Sequence, residues 1–199
     1  MGCNQDGMGL TDDAATLRQS LGELPEPMVN PAFVVVSGLP GTGKSYFCRK
    51  LAERLDFPIL ESDNLRKVLF PTPEYSPDES NRLFQACHHL IEELLHHGIP
   101  LIFDATNLVE RHRERLYRIA DDSGARLILV RVEAPPEVVR QRLNDRFSGA
   151  EREGKSDADW AVYQKMRSSA QHIRRNHFAA DTSQDIGPVI DKIVREANR

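Results

Sequence analysis

The sequence predicts an α/β protein built on a parallel sheet with helices on both faces, a three-layer α/β/α sandwich. Three observations carry this. Strand-like and helix-like segments alternate along nearly the whole chain, as repeated βαβ units require. The clearest strand-like segments, Phe33-Val34-Val35-Val36, Leu101-Ile102-Phe103 and Leu127-Ile128-Leu129-Val130, are unbroken apolar runs rather than period-two patterns, which is the signature of burial on both faces. The first run leads through Gly38-Leu39-Pro40-Gly41-Thr42-Gly43-Lys44-Ser45 into a segment of helical spacing, a glycine-rich turn at the strand end where such sheets bind ligands.

At 199 residues the chain is expected to form one domain, residues 32–199, preceded by an arm over 1–31. A net charge of −4 argues against broad adhesion to nucleic acid and leaves a local basic groove open. The three cysteines, Cys3, Cys48 and Cys87, are odd in number and lack C-x-x-C spacing, so they read as reduced thiols in a cytoplasmic protein. No apolar run approaches membrane-spanning length, and the N-terminus lacks the apolar core of a signal peptide.

Taken in order, residues 1–10 are polar and predicted to be disordered, and Thr11 is placed to cap a short helix over 12–21. Pro25, Pro27 and Pro31 forbid regular structure before strand one at 33–37. The next helix buries Phe47, Leu51 and Leu55 at four-residue spacing. A short strand at Ile59-Leu60 precedes a helix starting within Glu61–Arg66, then a proline-rich loop over 70–77. Ser76-Pro77-Asp78-Glu79 is a capping box with proline at the first helical position, opening a helix to His97 closed by Gly98. Strand three ends in Asp104, and Asn107 is placed to cap a helix over 108–122. After the fourth strand, Pro136 opens a helix through Arg146, and the glycine-containing stretch 147–156 reads as a mobile lid. Ser156–Asp159 starts another helix, and a weak fifth strand at 178–180 and a helix from Pro188 complete the chain.

Gly38 to Ser45 matches G-x-x-x-x-G-K-[ST], the phosphate-binding P-loop, in the strand–loop–helix context that supports it. Glycine lets consecutive backbone N–H groups converge on one anion. Lys44 supplies a charge for the β/γ-phosphates, the Ser45 hydroxyl is placed to ligate Mg²⁺, and the helix beginning near Lys44 points its positive end at the same anion. Gly38, Gly41, Thr42, Gly43, Lys44, Ser45 and the adjacent Tyr46 are the expected ATP-holding set.

Asp63 follows strand two and Asp104 ends strand three, so two carboxylates converge on the triphosphate. One suits Mg²⁺, the other proton abstraction from an attacking hydroxyl. The plainer readings are a helix cap for Asp63 and a turn residue for Asp104. Arg140, Arg142 and Arg146 form a basic cluster that either covers a transferring phosphoryl group or is a solvated helix face. No Glu follows Asp104 and no Asn-Lys-x-Asp occurs, which favours transfer over hydrolysis or GTP switching. His88, Glu92 and His96, and likewise His89, Glu93 and His97, repeat at four-residue spacing. Three ligands along one helix span about 12 Å, too far for one ion, so both rows read as solvated.

Gly38–Ser45, Ser62-Asp63-x-x-Arg66, Asp104-Ala-Thr-Asn107 with Arg111, and Arg140-Gln-Arg142-Leu-x-x-Arg146, in this order and spacing, resemble the polynucleotide-kinase-like P-loop kinases, a group similar to zeta-type toxins and gluconate kinases. The resemblance covers about residues 32–185. It implies a five-stranded sheet of order 2-3-1-4-5, and a kinase that moves the γ-phosphate of Mg²⁺-ATP to a hydroxyl. It also implies roles. Asp63 would be the general base, Arg66 an acceptor-binding cation, Asp104 part of the metal and acceptor site, and Arg142 or Arg146 the catalytic lid arginine beside Lys44. Asn107 and Arg111 would complete the acceptor side.

The acceptor is expected to be small or nucleotide-like, with a polynucleotide 5′-hydroxyl and a non-enzymatic ATP-binding module as the alternatives. Arg66, Arg111 and Arg113 are placed to surround its mouth, with Phe70 and Tyr75 as walls. The plainer reading packs Phe70 in the core and pairs the arginines with Glu110 and Glu114.

Overall fold

All six residues of the first strand, β1 (Ala32–Ser37), are buried, which only a central position in a two-faced sheet allows. The computed structural model describes the backbone of residues 5–148 and 159–199, and the side chains of 12–145 and 159–199. Around β1 lie β2 (Ile59–Glu61), β3 (Leu101–Asp104), β4 (Arg126–Glu133) and β5 (Phe178–Asp181), in the order β2-β3-β1-β4-β5. Every pairing is parallel. The expected fold class and strand order are those observed.

Alternation along β1 and β3 divides the core in two. Phe33, Val35, Leu101 and Phe103 face one side, where α1 (Gln5–Ser20), α3 (Ser62–Leu69), α4 (Pro77–His96) and α5 (Glu110–Asp122) contribute Leu17, Leu65, Leu90 and Leu116. Val34, Val36 and Ile102 face the other, against Phe47 and Leu51 of α2 (Lys44–Leu55) and Ile190 and Ile193 of α8 (Gly187–Ala197). A smaller cluster of Val139, Leu143 and Tyr163 joins α6 (Pro136–Ser148) to α7 (Trp160–Ser169). The lid expected over 147–156 falls almost wholly outside the described residues.

Local chemistry explains the ends of the helices. Ser76 Oγ accepts the Glu79 N–H at 3.2 Å and Pro77 fills the first turn, as the capping box predicts. The Glu79 carboxylate does not close that box on Ser76. It accepts the Glu74 N–H at 2.7 Å and pairs with Arg66 instead. Asp159 Oδ1 caps α7 by accepting the Val162 N–H at 2.8 Å.

Several expectations change. The first helix starts at Gln5 rather than at 12, so Thr11 lies inside it and residues 5–10 are helical. The arm packs on the domain. Ala14 and Leu17 are buried, Arg82 of α4 grips Asp13 in a bidentate pair at 2.6 and 2.8 Å, and Met28 N–H donates to Gly98 O at 2.7 Å. Val109, not Asn107, is the N-cap of α5, and neither Ser62 nor Asp63 caps α3, whose N-cap is Glu61. His88, expected on a solvated row, is half-buried with its ring tilted against Phe84.

Candidate functional site

The carboxyl ends of β1, β2 and β3 meet at one place, and their sequences fill it with the P-loop, Glu61 and Asp104. The loop turns tightly because Gly43 adopts φ 87°, in the left-handed region. Gly38 is required for closeness: a Cβ there would lie 2.4 Å from Val132 O. Thr42 is buried, and Lys44 Nζ arches back to donate to Leu39 O at 3.2 Å. Tyr46 is exposed on the first turn of α2.

Beside the loop, Glu61 and Asp104 are register partners on neighbouring strands. Ser45 Oγ donates to Glu61 Oε1 at 3.2 Å. Asp104 is buried, and its Oδ2 has no hydrogen-bond partner. Burial pushes the Asp104 carboxyl above the ordinary carboxylate range, against the pull of Lys44 and the Ser45 hydroxyl. Glu61 is raised too, first by burial and then by the neighbouring Asp104 charge. An orphaned buried carboxylate oxygen, a second carboxylate and a hydroxyl are an oxygen donor set that suits a hard divalent cation such as Mg²⁺, which binds through one or two carboxylates and substrate phosphates rather than a complete protein cage. Among the described residues no group of three or more His, Cys, Asp or Glu side chains forms such a cage.

Asp63 stands in the first turn of α3, close enough for its charge to act on both Glu61 and Asp104, and its carboxylate makes no hydrogen bond or ion pair among the described residues. Arg142 occupies a different position. Its Nη1 and Nη2 donate to Thr182 Oγ1 at 2.8 Å and Thr182 O at 2.9 Å, and Thr182 Oγ1 donates to Thr42 O at 2.6 Å. The arginine therefore reaches the P-loop through a buried threonine. The Arg146 side chain lies outside the described residues, while Arg140 is placed over the Trp160 ring at 5.7 Å.

Among the other expected site residues, Arg66, Arg113 and Asn107 make buried contacts within the fold. Arg66 is buried, pairs with Glu79, donates to Ser80 Oγ at 3.3 Å and lies 4.8 Å from the Tyr75 ring centroid, although its Nε has no partner. Arg113 is not at a mouth. It is fully buried, bound to Glu110 and to the carbonyls of Asn107, Gln171 and His172 at 2.5–2.9 Å, because a buried guanidinium needs every donor occupied. Asn107, at φ 45°, donates from Nδ2 to Val36 O at 2.9 Å and fastens the end of β1. Arg111 is exposed, and its Nε donates to His112 Nε2 at 3.3 Å. Phe70 packs against the core, as the plainer reading has it.

Two positions of the candidate site escaped the sequence reading. Glu61 reads in the sequence as the lead-in to a helix, whereas it is the last residue of β2, and only its register with Asp104 reveals it. Thr182 lies 140 residues from its partner Thr42, with no local motif to signal it.

The AAA domain family model matches residues 33–173. A Drosophila melanogaster protein named adenylate kinase isoenzyme 6 homolog is 36% identical over 89 residues, 44% of this chain and 47% of its own length, so the chain matches about half of that relative. The Mycobacterium tuberculosis APS kinase CysC, solved with AMPPNP and APS, superposes with a TM-score of 0.64 at 18% identity, covering 88% of this chain and 100% of its own. Chaetomium thermophilum Kti12 with ADP-AlF3 gives a TM-score of 0.66 at 20% identity, covering 83% of this chain and 98% of its own. These two likenesses show the fold.

Proposed function

The chain belongs to the AAA domain family, and from that membership we propose that it is a Mg²⁺-ATP-dependent kinase that transfers the γ-phosphate to a hydroxyl of a small or nucleotide-like acceptor. The observation that carries this reading is the juxtaposition of the P-loop with the Ser45–Glu61–Asp104 oxygen cluster, in which Asp104 Oδ2 is buried without a partner. A group so placed is costly unless a cation completes it. Relatives named adenylate kinase homolog and APS kinase support phosphoryl transfer as the reaction. The Ser62-Asp63-x-x-Arg66 and Asp104-x-Thr106-Asn107 motifs support a place among the polynucleotide-kinase-like kinases, and a cytoplasmic location agrees with described helices too short or too polar to cross a membrane.

In this reading the P-loop amides and Lys44 hold the β- and γ-phosphates, and Lys44 leaves the Leu39 carbonyl to do so. Ser45, Asp104 and Glu61 would hold Mg²⁺, which would supply charge neutralisation at the phosphate oxygens. Asp63, whose carboxylate is uncommitted, accepts the proton of the acceptor hydroxyl as the oxygen–phosphorus bond forms and the bond to the ADP oxygen breaks. Arg142 exchanges Thr182 for phosphate oxygens.

Transfer of labelled γ-phosphate to sugars, sugar acids, nucleosides, nucleoside monophosphates and 5′-hydroxyl oligonucleotides tests the proposal. Wild type labels an acceptor, and Asp63→Asn lowers that rate by about a hundredfold or more while ATP affinity stays within twofold. Binding of ATP with no labelled acceptor would support a non-enzymatic ATP-binding module instead.

A further inference from the structure

The Ser45–Glu61–Asp104 cluster forms the floor of a cavity of about 300 Å³. Ile59, Leu65 and Val68 give it an apolar side, and Arg49 of α2 supplies a cation that makes no hydrogen bond or ion pair among the described residues. The remaining wall is unexpected. Beside Asn64 it is Ser20 and Leu21, the last residue of α1 and the one after it.

That wall belongs to a part of the chain outside the family match, which begins at residue 33. The arm is fixed where it stands. Leu17 is buried in the core, Asp13 is gripped by Arg82 on α4, and the Met28–Gly98 bond ties the returning chain to the start of β3. Gly98 permits this approach, because a Cβ there would lie 2.6 Å from Met28 O. Neither Ser20 nor Leu21 is therefore free to swing away without breaking buried contacts.

The geometry points to the N-terminal arm as the specificity element of this enzyme: Ser20 and Leu21 wall the cavity over the Ser45–Glu61–Asp104 cluster, beside the turn of α3 that carries Asp63, and limit the acceptor to a small hydroxyl compound with an anionic group for Arg49. This rests on the kinase reading and narrows it. The cavity lies at the lower end of the size range of small-molecule pockets, roughly 300–1,000 Å³. A polynucleotide needs an open groove that tracks its backbone, usually lined with several cations and stacking aromatics. Here the lining has one cation and no aromatic ring.

The test uses the full chain with Leu21→Trp, Ser20→Tyr and Arg49→Ala. Ser20 is exposed, so its replacement leaves the core intact should the bulkier change at Leu21 not fold. Initial rates of γ-phosphate transfer are measured with a sugar acid, a nucleoside monophosphate, a nucleoside and a 5′-hydroxyl octadeoxythymidylate, alongside calorimetric binding of Mg²⁺ and a non-hydrolysable ATP analogue. The expected result is labelling of an anionic small acceptor and not of the oligonucleotide. Each arm variant raises the KM for that acceptor at least tenfold, Arg49→Ala does the same, and analogue affinity stays within twofold. An acceptor KM within twofold of wild type in both arm variants overturns the role of the arm, as does efficient labelling of the oligonucleotide. A preference for the uncharged nucleoside overturns the role of Arg49. Failure of the kinase reading looks different: wild type binds the analogue, labels nothing, and the present proposal falls with it.

Discussion

Glu61 and Asp104 lie opposite each other in the β2–β3 register with the Ser45 hydroxyl between them, so the site holds two carboxyls at close quarters beneath one serine. Both are held above the ordinary carboxylate range, primarily by burial. A carboxyl raised in the folded state stabilises fully only below its unfolded value of roughly 4, and that contribution is lost as pH rises through the raised value. At pH 7 without metal the pair therefore opposes folding. Asp104→Asn is expected to raise the melting temperature in EDTA by about 2–4 °C, while Mg²⁺-dependent turnover falls at least about a hundredfold. Calorimetric melting checks the first part, and a lower melting point than wild type would refute the account.

The Arg142–Thr182–Thr42 relay predicts an effect on nucleotide binding at a residue no motif contains. Thr182→Val removes a hydroxyl that both accepts from Arg142 and donates to the P-loop carbonyl, leaving buried polar groups unpaired. The KM for ATP is expected to rise about tenfold, and Thr182→Ser to restore it. A wild-type KM in Thr182→Val with a loss in Thr182→Ser would mean that Thr182 acts through its methyl packing and would refute the relay.

Lys44→Ala is expected to abolish turnover and to weaken binding of the ATP analogue sharply, since the helix dipole and loop amides remain but the mobile charge is gone. Calorimetric titration checks it. Wild-type affinity in that variant would exclude this loop as the phosphate site.

His88 gives a pH prediction remote from the site. Burial, reinforced by Arg115 and His112, holds it down to about 4. The unfolded chain takes up a proton near pH 6.5 that the folded chain refuses, so stability falls as pH drops from about 6.5 toward 4. The loss approaches the order of 3 kcal/mol at the low end. His88→Gln is expected to flatten this part of the profile, read from urea midpoints between pH 7.5 and 4.5. Parallel profiles for the two proteins would remove His88 as the cause.

The fold was legible because unbroken apolar runs such as 33–36 and 101–103 admit few positions other than the interior of a two-faced sheet. The P-loop was legible because its constraint is local, a short stretch of fixed spacing. Arg113 misled because an arginine at a helix start reads as a surface cation, and only tertiary structure could surround it with Glu110 and three carbonyls. Asn107 misled likewise: its side chain had two uses, a cap or a cross-strand rivet, and packing chose the second. Glu61, Thr182 and the arm contribute through neighbours 43 or more positions away in sequence, or through a cavity wall, which no window along the chain can display.

The bond between Thr42 and Thr182 also bears on how the protein is made. During synthesis the phosphate-loop motif is complete once Ser45 is added, yet the hydroxyl that steadies it arrives 140 residues after Thr42, beyond β5. A nascent chain has the motif without its brace. On the proposed function nucleotide would bind best once Thr182 is in place, and at a hundred times its dissociation constant such a ligand adds about 2.7 kcal/mol to the stability of the state that binds it. ATP would then act as a late folding ligand, favouring chains that have paired β5 over chains that lack it.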